Sequence, residues 1–284
     1  MSAIAVLHPG EMGAAVGACL AARGHRVLWA SEGRSAATRG RADAAGLEDL
    51  GSLARCLQDA QYVLSICPPQ GALPLAREVA ALGFRGTYAD ANPVSPARAK
   101  EIGRVLVSGG ARFVDGAIIG PPPQSRGETR AKGKTRLYLS GEGAAAVAQL
   151  FAGGEPQAIV LEGGAGAASA LKACYAGWNK NATALLACIR ALARHEGVEA
   201  ALLAEWDLSE PGIARRSERI LASARKAWRW APEMEEIADA FAAAGVPPEF
   251  QRAAAEVFRR LAPFKDAPAP ASPEAIVEAL RRQC

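Results

Sequence analysis

A glycine-containing turn near the N-terminus is the first segment whose residue types and spacing could do chemistry. It follows an apolar run, and Gly10 and Gly13 occupy the second and third glycine positions of a GxGxxG pattern. His8 stands in the first position, where Pro9 favours extended backbone for it. Such glycines allow the backbone to approach a pyrophosphate at a helix N-terminus. We therefore predict that a dinucleotide contacts His8, Pro9, Gly10, Glu11, Met12 and Gly13. An ordinary β–α turn with two glycines is the alternative.

The end of the second apolar run indicates which dinucleotide fits. An acidic residue there would bind a free ribose hydroxyl, whereas serine and arginine suit a 2′-phosphate. The chain offers Ser31, Arg34 and Ser35, with Glu32 as the one conflicting residue. We therefore expect NADP to be the cofactor, with NAD as the second choice.

Short apolar runs alternate with amphipathic stretches over residues 2 to about 160, which is typical of a βαβ sheet. The first run is too apolar to alternate, as expected for a central parallel strand. The sequence predicts strands at Ala3–Leu7, Arg26–Ala30, Tyr62–Ile66, Thr87–Asp90, Phe113–Ile118, Leu137–Leu139 and Ile159–Leu161.

The pattern becomes helical after Gly163. No proline interrupts residues 166–196, where apolar residues recur at helical spacing. A rod of about 30 residues would be about 45 Å long, a length that joins domains or forms a dimer seam. The fold expected is an α/β Rossmann-type N-terminal domain at residues 1–163, joined by this long helix to an all-α C-terminal domain at 164–284.

Composition and charge exclude several classes of protein. The formal net charge is only +4, and basic residues are scattered among acidic ones, so we expect no nucleic-acid partner. The six cysteines form no CxxC pair and the three histidines have no metal-ligand spacing, so no metal site is predicted. Neither a secretory signal nor an apolar run of about 18 residues is evident, so we expect a cytoplasmic protein without a membrane partner.

Four ordered motifs together resemble the β-hydroxyacid dehydrogenase superfamily, in particular its branch similar to 6-phosphogluconate dehydrogenase. These are the turn at residues 8–13, the loop at 66–69, the segment 90–96, and Lys172 in the long helix. The resemblance implies hydride transfer between a nicotinamide and a carbinol carbon of a small molecule, and a homodimer through the helical domain. It also implies cofactor contacts at Cys67, Pro68, Pro69 and Asn92.

The same resemblance makes Lys172 the proton donor and acceptor. Removing hydride from an alcohol carbon requires its oxygen to lose a proton, and a desolvated lysine can accept it. Helical spacing places Tyr175 and Asn179 on the same stripe as Lys172. Ala176 stands where the family has asparagine, so Asn179 is a candidate replacement. A lysine that snorkels from a helix end is the structural alternative.

Two departures from the family leave the substrate open. Residues 119–121 read Ile-Gly-Pro where the family has Ser-Gly-Gly, and Pro232 and Glu233 replace a late lysine–aspartate pair. The predicted substrate contacts are Ile119, Gly120, Trp178 and Met234. The basic loop at 124–136 is either a lid over an anion or a solvated hairpin. An imine reductase and a non-catalytic NADP(H)-binding regulator are the alternative functions.

Overall fold

The computed structural model describes residues 1–124 and 135–281. The chain separates into two compact units, Met1–Lys172 and Ala173–Cys284. The predicted boundary at residue 163 precedes the long helix, whereas the two units divide inside that helix. Most of the basic loop at 124–136 lies outside the described residues.

The first unit contains an eight-stranded sheet with flanking helices. Its strands are β1 (Ala3–Leu7), β2 (Arg26–Trp29), β3 (Glu48–Asp49), β4 (Tyr62–Ser65), β5 (Thr87–Asp90), β6 (Arg112–Ile119), β7 (Arg136–Ser140) and β8 (Gln157–Val160). Its helices are α1 (Glu11–Ala21), α2 (Ala36–Ala44), α3 (Leu53–Asp59), α4 (Pro69–Ala81), α5 (Pro96–Ser108) and α6 (Ala144–Gln149).

The strand order is β3-β2-β1-β4-β5-β6-β7-β8, and among the strands of the described residues only the β6–β7 pair is antiparallel. Successive side chains of β1 enter two different apolar cores: Ala5 and Leu7 one, Ile4 and Val6 the other. Side chains alternate across a strand, so both faces of β1 are covered. This explains why β1 reads as an uninterrupted apolar run.

The long helix α7 (Ala167–His195) begins in the first unit and continues into the second. The other helices of the second unit are α8 (Glu199–Ser209), α9 (Ile213–Ser217), α10 (Arg219–Ser223), α11 (Ala227–Ala243), α12 (Glu249–Arg260) and α13 (Pro273–Arg281). Alanines such as Ala184 and Ala187 of α7 pack in a core with Met234 and Phe258. Small side chains allow helices to approach closely. Among the described residues, no helix has the length and apolar character needed to cross a membrane.

Candidate functional site

The loops that carry the predicted site meet at one edge of the sheet. β1, β4, β5 and β6 are parallel neighbours, so their carboxyl ends share this edge. The chain passes from β1 to β2 on one side and returns to β4 on the other, which makes β1 the switch point of the sheet. Open α/β sheets bind their ligands in the crevice at such a point.

The glycine turn is tight, and its backbone differs from the sequence prediction. His8 has a φ of +64°, so the expected extended conformation is wrong. The turn is closed by the Gly10 N–H, which donates to His8 O at 2.7 Å. The left-handed backbone explains why glycine is usual at this position, because a side chain there is strained.

The two glycines of the turn have different structural requirements. A Cβ added to Gly13 would lie 2.7 Å from His8 O, so only glycine lets α1 start this close to the turn. A Cβ on Gly10 would meet no atom within 4 Å. Gly10 is the N-cap of α1 and has no side chain to bond the N-terminal amides of that helix. The space beside these amides is therefore open to a ligand. This is the geometry that a pyrophosphate requires.

His8 contributes no positive charge at neutral pH. Burial, and to a smaller extent the nearby Arg34 guanidinium, lower its pKa to about 4. Its Nδ1 and the Nε of Arg34 are both buried without a hydrogen-bond partner among the described residues. Two unpartnered polar atoms beside the turn are a feature that a bound polar ligand would explain.

The β2–α2 loop brings together the residues predicted to select the cofactor. Ser31 is buried, and its N–H donates to Asp49 Oδ1 at 3.2 Å. Ser35 begins α2, and its Oγ accepts the Thr38 N–H at 3.3 Å. Glu32, the conflicting residue, is exposed. The loop therefore places a helix N-terminus and Arg34 near the turn.

Two arginines that were not predicted from the sequence support this loop. Arg39 Nη2 donates to Ser31 O at 2.9 Å. Arg41 Nη2 donates to Thr38 Oγ1 at 3.0 Å, and its Nε donates to Pro9 O at 3.4 Å. Arg41 thus links α2 to the glycine turn across 32 residues, a contact that no local pattern encodes.

Asn92 connects the ends of β4 and β5. Its Oδ1 accepts the Cys67 N–H, and its Nδ2 donates to Ser65 Oγ at 2.9 Å. Its own N–H donates to Asp90 Oδ1 at 2.9 Å. Burial, and then Asp90, raise the pKa of the Cys67 thiol to about 12, so this cysteine is not a nucleophile at neutral pH. Pro68 is exposed at the same edge, while Pro69 is buried at the start of α4.

A pH-dependent stability is expected from Asp90. The pKa of Asp90 is raised from its ordinary 3.8 to about 7, because burial, with a smaller contribution from Asp115, outweighs the hydrogen bonds from Asn92 that lower it. The unfolded chain loses this proton at lower pH than the folded chain does. The contribution of Asp90 to stability therefore falls as pH rises from about 4 to about 7, by on the order of a few kcal/mol.

Asp90→Asn removes this titration while keeping an oxygen that accepts the Asn92 N–H. Relative to wild type, we expect the variant to gain unfolding free energy on going from about pH 5 to about pH 8. Urea denaturation at both pH values measures the difference, with Asp43→Asn on exposed α2 as the control. An equal offset at both pH values would contradict the assignment.

Lys172 is placed by a buried carboxylate in β6. Asp115 Oδ2 accepts the N–H groups of Gly166 at 2.9 Å and Ser169 at 3.0 Å. Its Oδ1 accepts the Ser169 hydroxyl at 2.6 Å, and Ser140 Oγ donates to Oδ2 at 3.1 Å. These bonds join the first turn of α7 to β6 and β7. An anionic side chain at a helix N-terminus is also electrostatically favourable.

The amine of Lys172 reaches the same edge of the sheet. Its Nζ donates to Ile118 O at 2.7 Å, near the carboxyl end of β6. Three strand spacings, about 14 Å, separate β6 from β1 and its glycine turn. The turn, Cys67, Asn92 and Lys172 therefore follow one another along one edge of the first unit.

The predicted substrate residues have very different exposures. Ile119 is buried at the end of β6, and Gly120 follows it with a φ of +124°. In the second unit, Trp178 is 64% exposed. Met234 is fully buried in the apolar core of that unit, so the structure gives it a packing role.

The second unit contains a pocket of about 450 Å³. It is lined by Tyr175, Trp178, Asn179, Gly212, Arg215, Arg216 and Arg219. Asn179 Nδ2 donates to Tyr175 O at 3.0 Å within α7. The first three of these side chains were predicted from the sequence. The three arginines were not, although their close spacing in the sequence was an available signal.

Comparison with known proteins gives one family and several structures. A domain of unknown function, DUF1932, matches residues 193–261. The structure of the conserved protein MTH1747, of unknown function and described as similar to 3-hydroxyacid dehydrogenases, is 25% identical. The match covers 93% of this chain and 99% of that one, with a TM-score of 0.66. No curated protein matches the sequence.

Two enzymes extend this similarity over the whole chain. Mycobacterium tuberculosis 3-hydroxyisobutyrate dehydrogenase, solved with L-serine, is 20% identical with a TM-score of 0.70, over 99% of this chain and 100% of that one. The chain has the fold of the β-hydroxyacid dehydrogenases. A reductive aminase from Aspergillus terreus, in complex with NADPH and ethyl levulinate, shares this β-hydroxyacid dehydrogenase fold at 19% identity and a TM-score of 0.57, covering 99% and 100%. The fold class and the resemblance predicted from the sequence are confirmed.

Proposed function

We propose that the chain is an NADP-dependent oxidoreductase of the β-hydroxyacid dehydrogenase type. It transfers hydride between the nicotinamide and a carbonyl or hydroxyl carbon of a small metabolite, with Lys172 as general acid and base. One observation carries this proposal. The Lys172 amine is fixed on Ile118 O, 2.7 Å away, at the edge of the sheet that also carries the glycine turn.

The residues at this edge fit a nicotinamide dinucleotide. Open space at Gly10 and the uncapped amides of α1 suit a pyrophosphate. His8 Nδ1 and Arg34 Nε are buried polar atoms without a hydrogen-bond partner among the described residues, so a polar group of the cofactor could bond to them. Solved neighbours in complex with NADPH and with NAD⁺ support the cofactor class. When bound, the nicotinamide supplies or accepts the hydride.

Lys172 would move the accompanying proton. In carbonyl reduction its ammonium donates a proton to the developing alkoxide oxygen, and in alcohol oxidation the neutral amine accepts it. The bonds from Asp115 to the start of α7 fix the backbone of the lysine, and Ile118 O fixes its amine. Such prior placement is what makes proton transfer efficient. Tyr175 and Asn179, one and two turns further along α7, are proposed to contact the substrate.

Specificity for NADP is the finer part of the proposal, and Arg34 tests it. Arg34 lies beside His8, and its guanidinium would pair with a 2′-phosphate that NADH lacks. Arg34→Ala is therefore expected to weaken NADPH binding about 10- to 100-fold and NADH binding less than about threefold. Fluorescence titration with both cofactors measures this, with exposed Arg104→Ala on α5 as the control. Equal losses for the two cofactors would refute the 2′-phosphate assignment.

An imine reductase is the second candidate, because imine reductases and a reductive aminase share the fold over the full chain. The imine reductase from Streptomyces aurantiacus gives a TM-score of 0.55, against 0.70 for the M. tuberculosis dehydrogenase. The positioned Lys172 amine favours the carbonyl reaction. Comparing NADPH consumption with a ketone panel and with cyclic imines discriminates between the two.

A homodimer through the helical unit is proposed on its exposed apolar residues. Leu185 and Leu192 lie two turns apart on α7, and each is 61% exposed. On α8 no residue is buried, and Leu208 is 81% exposed. Apolar side chains repeated along exposed helices are typical of a protein interface. A second copy of the chain is the partner that the family resemblance implies.

A further inference from the structure

The pocket of the second unit concentrates positive charge on one short segment. Arg215, Arg216 and Arg219 line it at positions i, i+1 and i+4 of the segment that contains α9 and α10. Within the described ranges, no carboxylate forms an ion pair with any of these three guanidinium groups. No carboxylate among the described residues lines this concavity, so a bound anion would relieve the repulsion among the three cations.

Two buried residues next to the arginines in the sequence fix the orientation of this segment. Ser217 is buried, and Arg190 Nη1 donates to its Oγ at 2.7 Å. Arg190 is held in turn by an ion pair with Glu199 at 2.6 Å. Ile220 is buried in the core of the unit. Because Ser217 and Ile220 are buried in the second unit, the neighbouring arginines are held at the pocket.

Trp178 restrains one of the guanidinium groups further. The guanidinium carbon of Arg216 lies 4.9 Å from the centre of the Trp178 ring. Stacking occupies the face of a guanidinium and leaves the N–H donors in its plane available for an oxyanion. Trp178 is itself 64% exposed and lines the pocket, which explains a large aromatic residue at an exposed position.

We propose that this pocket binds a small organic dianion, such as a dicarboxylate or a phosphate monoester. A volume of about 450 Å³ suits a small metabolite. Three guanidinium groups attract a doubly charged ligand more strongly than a singly charged one. They also offer paired N–H donors to carboxylate or phosphoryl oxygens. That the dianion is the substrate rests on the proposed function. Where the family resemblance implies Ser-Gly-Gly, residues 119–121 read Ile-Gly-Pro, which lacks the serine hydroxyl and one backbone donor for a carboxylate.

Direct binding tests the proposal. Titration calorimetry on the full chain uses succinate, inorganic phosphate and acetate as probes at fixed ionic strength. We expect succinate or phosphate to bind at least about 10-fold more tightly than acetate. Arg219→Gln is expected to weaken that dianion about 10-fold. Arg252→Gln, an exposed arginine on α12, is the matched control and should bind as wild type does.

The outcomes separate this proposal from the proposed function. Absence of binding by all three probes, or binding unchanged in Arg219→Gln, would overturn the dianion site even if NADPH binds normally. If the dianion binds through Arg219 but NADPH does not bind, the pocket stands and the proposed oxidoreductase fails. Circular dichroism of Arg219→Gln confirms that the variant is folded, so a loss of affinity reports on the pocket. Tighter binding of phosphate than of succinate would assign the pocket to phosphoryl dianions, and the reverse order would assign it to dicarboxylates.

Discussion

Replacing Lys172 with methionine is expected to lower kcat for NADPH-dependent carbonyl reduction by about 100- to 10,000-fold. Methionine preserves the length and apolar stem of the side chain but carries no proton to donate. The Lys172 amine contacts the end of β6, away from the glycine turn that follows β1. The Kd for NADPH should therefore change less than about threefold. Steady-state kinetics and fluorescence titration on the same preparation measure the two quantities.

Two further variants make the Lys172 result specific. Arg104→Met removes an exposed positive charge from α5 of the same unit and should leave kcat unchanged. Lys172→Arg keeps the charge, but arginine does not exchange its proton near neutral pH, so kcat should stay low. If Lys172→Met retains the kcat of wild type, the amine is not the general acid and the NADP(H)-binding regulator becomes the better interpretation.

The sequence predicts most of the fold because that information is local. The first strand and the long helix, observed at Ala3–Leu7 and Ala167–His195, lie almost where an uninterrupted apolar run and the helical spacing of apolar residues predict them. The short strand Glu48–Asp49 was missed, since two exposed acidic residues carry no strand signal. The antiparallel direction of β7 against β6 was also not predicted. Strand direction depends on the path of the chain between strands, which periodicity does not encode.

The site is less predictable, because its geometry depends on contacts between distant residues. The positions of the glycine turn and Lys172 follow from short motifs, but the left-handed His8 does not, since its neighbour Pro9 favours the opposite conformation. Asp115 and Ser169 are 54 residues apart. One signal was nevertheless present: Asp115 interrupts an apolar strand, and a buried carboxylate is costly unless it is hydrogen-bonded.

Truncating that carboxylate gives the second large effect. Asp115→Ala is expected to lower the free energy of unfolding by about 3–5 kcal/mol. It leaves the Gly166 and Ser169 N–H groups and the hydroxyls of Ser140 and Ser169 buried without their acceptor. Urea denaturation measures the loss. The matched control is Asp43→Ala on α2, an exposed carboxylate whose removal should cost less than about 0.5 kcal/mol.

A conservative variant then separates stability from positioning. Asp115→Asn keeps the size of the side chain and one acceptor oxygen, so the protein should fold but hold the start of α7 less firmly. Since Lys172 lies one turn after Ser169, kcat is expected to fall about 10-fold or more while the Kd for NADPH stays close to wild type. A positioning role requires this drop in kcat at temperatures where the variant is fully folded. If kcat is unchanged there, Asp115 stabilises the first unit but does not position Lys172.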